Sequence, residues 1–185
     1  MCEHPAAWRR LGGEGTGVGT VIAERDGFRL EATEAAAGER PFGGRLTVRT
    51  DLAWEVLRAR IEAVTDQGMK AVELCRAGAQ WSVDGTRRPD LDGCVDVCAS
   101  CTPLTVTLPV RRLGLRKGEA REIAMAWVDV PGLTVRKIAR RCTRLEPAGG
   151  RQCYEISDEA LGTVRVTVDR EGVPFDIEGM YTRAA

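Results

Sequence analysis

Apolar and polar residues alternate along most of this chain at a period of two, in short runs closed by turn residues. In Thr20–Thr33 the pair Asp26-Gly27 sits at the centre of such an alternation and predicts a two-residue hairpin. A second turn between Gly38 and Gly44 leads into Arg45–Thr50, where Leu46 and Val48 share one face and the charged residues the other. After Gly68, Val72 and Leu74 predict one strand and Trp81 and Val83 the next, with turns at Gly78 and Asp84-Gly85. In Glu119–Asp129 both phases are apolar, which predicts a strand covered on both sides. From Leu133 the alternation changes phase between Val135 and Ile138, as a β-bulge would make it. Val164, Val166 and Val168 restore it, and Glu171-Gly172 turns the chain into Val173–Ile177.

Two stretches depart from this pattern. Asp51–Thr65 has helix-forming residue types and a capping aspartate, with Trp54, Leu57, Ile61 and Val64 at helical spacing. Its Leu57, Ala59, Ile61 and Ala63 also alternate with Arg58, Arg60 and Glu62, so periodicity alone leaves helix and strand open. Thr102-Pro103 predicts the start of one short helix carrying Leu104, Leu108, Arg112 and Leu115, which Pro109 would weaken. Gly12, Gly13, Gly15, Gly17 and Gly19 lack the strand, helix and lysine of a phosphate loop and are read as a flexible turn. Many short strands with at most one or two helices make a mainly β fold, a sheet that must curl to cover itself.

Length and charge narrow the function classes. A chain of 185 residues fits a single domain over 1–185. Lysine plus arginine equals aspartate plus glutamate at 27 each, so no basic excess points to nucleic acid. The N-terminal residues do not read as a secretory signal and no apolar run reaches the length of a membrane span, so a cytoplasmic protein without stable membrane insertion is expected. Seven cysteines at irregular spacing fit reduced thiols. Cys94, Cys98 and Cys101 form C-x3-C-x2-C, but an iron–sulfur enzyme of that spacing needs a larger α/β scaffold. Zinc would need a fourth ligand from Cys75, Cys142, Cys153 or an acid, with His4 the only histidine. No metal or cofactor is expected, and no serine–histidine pair or G-x-S-x-G elbow supports nucleophilic catalysis.

One stretch is distinctive. W-x-V-D-G from Trp81, P-x-L-x-G-C-x-D-V from Pro89, and T-P-x-T-x-T-L-P-V-R-R-L from Thr102 resemble the family of "putative glycolipid-binding" proteins, long filed as a domain of unknown function. Trp8-Arg9-Arg10-Leu11, Asp51–Arg60, Ala126-Trp127 with Pro131-Gly132-Leu133, and Val168-Asp169-x-x-Gly172 extend the likeness over nearly the whole chain. The resemblance implies a highly curved antiparallel sheet of many strands wrapped around a single helix, remotely similar to bacterial lipoprotein carriers and assembled as a homodimer. It places 51–65 in the sheet and implies an acidic pocket for a sugar- or lipid-bearing ligand. Where the family usually carries a second acid and an amide, this chain has Cys98 and Val106.

Sugar recognition uses carboxylates to chelate hydroxyl pairs and aromatic faces to stack on the ring. Asp92 and Asp96 with Trp81, Tyr154 and Trp54 are the candidates, and the dull alternative makes the tryptophans core and the aspartates turn caps. Arg111 and Arg112 suit an anion, but adjacent residues diverge on either a helix or a strand, so they are not expected to serve one anion together. The expectation is non-catalytic binding of a glycolipid or related amphiphile in a partly acidic pocket between curved sheet and central helix. The alternatives are a glycoside or ester hydrolase using Asp92 with Asp96, or Asp96 with Glu155, and a dimeric structural or regulatory protein with a vestigial pocket.

Overall fold

A computed structural model describes residues 5–184; His4 and Cys2 lie outside them. The chain begins with β1 (Ala6–Arg10) and continues through the hairpin-linked strands β2 (Gly15–Glu24), β3 (Gly27–Ala36), β4 (Phe42–Thr50), β5 (Val56–Thr65), β6 (Gly68–Ala77), β7 (Gln80–Val83) and β8 (Thr86–Arg87). A 3-10 turn at Pro89–Leu91 leads to β9 (Asp96–Ala99), and a second at Pro103–Val106 runs into α1 (Thr107–Leu113). The remainder is β10 (Ala120–Asp129), β11 (Thr134–Arg144), β12 (Gln152–Asp158), β13 (Gly162–Val168), β14 (Pro174–Ile177) and β15 (Tyr181–Arg183).

These strands form one 15-stranded sheet in which β1 pairs with β15, so both halves of the chain meet at its middle. Every neighbouring pair is antiparallel except β9 with β10. That pair has to be parallel because α1 crosses over between them, whereas a short hairpin reverses direction. The sheet curls until β9 lies against β5. There the Val56 N–H donates to the Val95 carbonyl at 3.2 Å, and the Trp81 indole N–H to the Cys94 carbonyl at 2.9 Å.

The strand pattern explains the core. Opposed residues share a face, so Val21, Leu30, Val48, Ala59 and Leu74 make one inward row and Ala32, Leu46, Ile61 and Val72 another. In β5, Ala59, Ile61 and Ala63 are buried while Arg58, Arg60 and Glu62 point out, which settles 56–65 as strand. Leu57 is exposed, because a register irregularity between Arg49 and Thr50 puts Val56 inside instead. Pairing on both sides fixes the extended backbone and overrides helix propensity here.

Gly15, Gly17 and Gly19 belong to β2 rather than to a flexible turn. Their missing side chains make room: a Cβ at Gly19 would come 3.0 Å from Leu104, and one at Gly17 would come 2.3 Å from a Glu34 carboxylate oxygen. The phase change between Val135 and Ile138 is not a bulge, since β10 and β11 stay in unbroken register from Ala120 opposite Thr143 to Asp129 opposite Thr134. Both faces are covered there: Val135 packs on the main core, while Ile138 joins Met125, Trp127 and Cys98 in a smaller cluster.

The helical stretch fills the inside of the curl. Thr102 caps it, its hydroxyl accepting the Leu104 N–H at 3.3 Å, and Gly114 ends it in the left-handed conformation. Pro109 lies in the first turn of α1, where a backbone N–H is dispensable, so the helix continues past it. Residues Pro103 to Val110 are all buried. The stretch begins beside Gly44, against which Cys101 packs, and ends with Arg111 beside Trp54 and Gly172.

Candidate functional site

The turns around the C-terminal end of α1 are built in one way. At Asp51 the side-chain Oδ1 accepts the N–H groups of Ala53 and Glu55, both at 2.9 Å. At Asp169 the Oδ1 accepts those of Glu171 at 3.0 Å and Val173 at 2.9 Å. Each turn follows directly on a register irregularity, between Arg49 and Thr50 or between Thr167 and Val168, a device that re-aims a strand end. The first turn presents Trp54 and the second Gly172 to the same side chain, Arg111.

Trp54 is held at φ 66°, a left-handed conformation that costs a bulky residue about 1–2 kcal/mol. Its ring stacks on Phe28 with centroids 4.0 Å apart and an interplanar angle of 15°. The Arg111 guanidinium lies over its indole, 5.0 Å from the ring centre. Gly172, at φ 81°, leaves space for the arginine: an added Cβ would meet Arg111 Cδ at 3.0 Å. Gly172→Ala is therefore expected to destabilise by about 1–2 kcal/mol in urea unfolding, from backbone strain and contact together. An unchanged midpoint would mean that the turn does not position Arg111.

Arg111 divides two hollows. One, about 30 Å³, lies among Val21, Ala23, Phe28, Trp54, Glu171 and Val173. The other, about 190 Å³, is lined by Val110, Gly114, Arg144, Gln152, Tyr154, Arg170 and Gly172 as well as Arg111. Arg144 donates to the Leu115 carbonyl at 2.8 Å and lies 5.8 Å from the Tyr154 ring centre. The Tyr154 hydroxyl donates to Gln152 Oε1 at 3.1 Å, and burial pushes its pKa up. A wider cleft of about 730 Å³, among Glu39, Arg40, Thr65, Asp66, Lys70 and Pro131, has no aromatic side chain in its lining.

Arg112 turns the other way, inside the sheet. Its Nε and Nη2 donate to the two Asp96 oxygens at 3.1 and 2.5 Å, joining α1 to β9. Asp96 is fully buried; burial raises its pKa, and Arg112, Arg140 and Arg76 oppose that rise. A second pair, Arg140 with Asp158 at 2.6 Å, joins β11 to β12 with both side chains fully buried. Cys98 accepts from Thr105 at 3.5 Å and from Arg140 at 3.7 Å. Thus the position where the resemblance implies an acid places a thiol against Arg140, whose Nη1 has no partner among the described residues.

Of the residues read from the sequence, Trp54 lines one hollow, Tyr154 the other and Arg111 both, with Trp54 7% and Tyr154 2% exposed. Trp81 is core, 1% exposed. Asp92 pairs with Arg87 at 2.5 Å, away from both hollows, and Asp96 is consumed by Arg112. Among the described residues the linings of the two hollows hold Arg111, Arg144 and Arg170 and one acid, Glu171. Arg144 and Arg170 carried no sequence signal, because sheet register alone brings them beside α1.

A buried acid also escaped sequence reading. Glu34 is 5% exposed, neither carboxylate oxygen meets a hydrogen-bond donor in full geometry among the described residues, and Arg10 lies 4.0 Å away. Burial pushes its pKa up to about 7, against opposing effects of Arg10 and Tyr181. Its inward phase with Leu30 and Ala32 was the available signal. The cysteines diverge: Cys98 faces Arg140, Cys101 packs by Gly44, and burial raises Cys94 to about 11 and Cys101 to about 12. Among the described residues no three histidine, cysteine or acidic side chains are placed to hold a metal ion.

Comparison with known proteins places this geometry in context. A family model described as "Putative glycolipid-binding" matches residues 5–183. A crystal structure of a DUF1089 family protein from Pseudomonas aeruginosa is 26% identical, with a TM-score of 0.79 over 91% of this chain and 92% of that one. A beta-barrel-like protein of domain of unknown function DUF1849 from Brucella abortus shares the fold, at 11% identity and a TM-score of 0.58 over 97% of this chain and 92% of that one. A search of curated proteins finds no match. No helix among the described residues is long and apolar enough to cross a membrane.

Proposed function

Because the chain belongs to the "Putative glycolipid-binding" family, we propose that it binds a glycolipid or related amphiphile, without chemistry, at the mouth between the curved sheet and the C-terminal end of α1. The observation that carries this reading is Trp54, held in a strained backbone conformation with one face on Phe28 and Arg111 across its ring. Strain of this kind persists where the surroundings enforce it, and it concentrates at ligand sites. A sugar ring stacks on the indole where it displaces the Arg111 guanidinium from the face opposite Phe28, and Val21, Ala23 and Val173 offer the apolar wall. At about 30 Å³ the apolar hollow holds a water or two rather than an acyl chain, so the headgroup is the part recognised here and the tail stays outside or displaces side chains.

Hydrolysis by paired acids finds no support in this arrangement. Asp92 and Asp96 are each engaged by an arginine, and Glu155 is exposed, on the face of β12 opposite to Tyr154.

Native mass spectrometry of gently purified protein tests the proposal. The expected result is a homodimer carrying a releasable amphiphile. Trp54→Ala should retain it about tenfold more weakly, with Trp54→Phe in between. An empty dimer, or retention indifferent to Trp54, would move the protein to a structural or regulatory role.

A further inference from the structure

The hollow on the far side of Arg111 has a composition that neutral sugar binding does not require. Three arginines, Arg111, Arg144 and Arg170, are among the residues lining its 190 Å³, and among the described residues no acid is. They come from α1, the end of β11 and the turn between β13 and β14, so three separate elements deliver like charges to one space. Like charges gathered at one hollow repel, and solvent or an anion between them relieves that repulsion. Arg144 is also tied down: its contact with the Leu115 carbonyl and its place near the Tyr154 ring limit its freedom. Gln152, whose oxygen is taken by Tyr154, brings amide hydrogens to the same lining.

We infer that this hollow is an oxyanion subsite, and that the amphiphile carries a phosphate or sulfate ester on its headgroup. This rests on the amphiphile reading above and specifies its ligand class. Tetrahedral oxyanions match guanidinium forks, which donate paired N–H groups in one plane. Arg111 joins the subsite to the aromatic one, since its guanidinium lies over Trp54 and the same side chain walls the arginine hollow. A headgroup with its ester among the arginines therefore has its sugar beside the indole. The adjacent Arg112 takes no part, because Asp96 holds it inside. The whole chain has a formal net charge of zero, so retention on anionic lipid is a local property of this mouth rather than bulk attraction.

The test uses the full chain and flotation with phosphatidylcholine vesicles containing either a neutral galactolipid or its sulfated counterpart, with calorimetric titration of inorganic phosphate as a separate arm. The expected result is retention on sulfated vesicles at least about tenfold stronger than on neutral ones, weakened by added salt. Arg170→Glu removes that preference. Arg170 is exposed, so the variant should keep its melting temperature; Arg170→Gln serves as a milder second variant. Equal retention on both vesicles, lost in Trp54→Ala, would overturn the oxyanion subsite and leave the glycolipid reading standing. Phosphate binding abolished by Arg170→Glu, without retention on any vesicle, would support the subsite but assign it to soluble phosphates and overturn the amphiphile reading. No binding in either arm overturns both.

Discussion

Asp158→Ala is expected to lower the unfolding free energy by about 3–5 kcal/mol in urea titrations, because it strands a buried guanidinium. The side chains of Arg140 and Asp158 are both fully buried, and the carboxylate supplies the charged partner at 2.6 Å. Without it, the hydrogen bond left to the Arg140 guanidinium among the described residues is that to the Cys98 thiol at 3.7 Å, and its Nη1 already lacks a partner there. Asp158 Oδ1 also holds the following turn by accepting the N–H groups of Ala160 at 2.9 Å and Leu161 at 2.8 Å, which adds to the loss. The double replacement Arg140→Met, Asp158→Ala removes both charges and should recover most of the stability, since an absent pair leaves no orphan charge. A loss below about 1 kcal/mol in the single variant would show that water reaches Arg140 and that the pair is not desolvated.

Glu34→Gln is expected to stabilise the protein at alkaline pH and to change little in acid. Its carboxyl is displaced from 4.5 to about 7 in the folded state. Below about 4.5 the group is protonated whether the chain is folded or not, so it contributes no difference. Between about 4.5 and 7 the folded state holds the proton more tightly than the unfolded chain, and stability falls as pH rises through that window. Above about 7 the full penalty stands, on the order of 3 kcal/mol at about 1.36 kcal/mol per pH unit. The variant should therefore gain up to that amount at pH about 8, measured as the difference between urea midpoints at acid and alkaline pH. A constant difference across the window would mean that Arg10 neutralises the carboxylate fully. Gly17 is part of this cradle, because a side chain there would take the position of the Glu34 carboxylate.

Much of the scaffold was legible in the sequence. The Asp26-Gly27 turn joins β2 and β3 as its residue types require, the period-two rows of β4 and β6 face the core, and Thr102-Pro103 starts the helical stretch. These are local properties: strand alternation, turn conformation and helix capping depend on residues a few positions apart. The family likeness extended them to a curled sheet around a helix, which the structure and the matched family bear out.

The site was legible only in part, and its parts differ for physical reasons. Trp54, Arg111 and Tyr154 could be proposed because tryptophan, arginine and tyrosine carry their chemistry wherever they stand. Their company could not be, since Arg144 and Arg170 reach Arg111 through the registers of β11 to β14. Asp96 was read as facing a ligand and is found against Arg112, a partner that lies across a crossover and becomes its neighbour only when α1 packs on β9. The same holds for residues 51–65, where two periodicities coexist in one segment. Pairing with β4 and β6 chose strand for 56–65, and the Asp51 turn chose a strained tryptophan before it. By itself the sequence determined the alternation, the turns, the capped helix and the neutral charge. Tertiary structure decided which charges are buried as close pairs, which acid is buried with only a distant arginine, and which arginines share a cavity. Those outcomes depend on desolvation and on contacts between residues distant in sequence, and neither is a property of any local window.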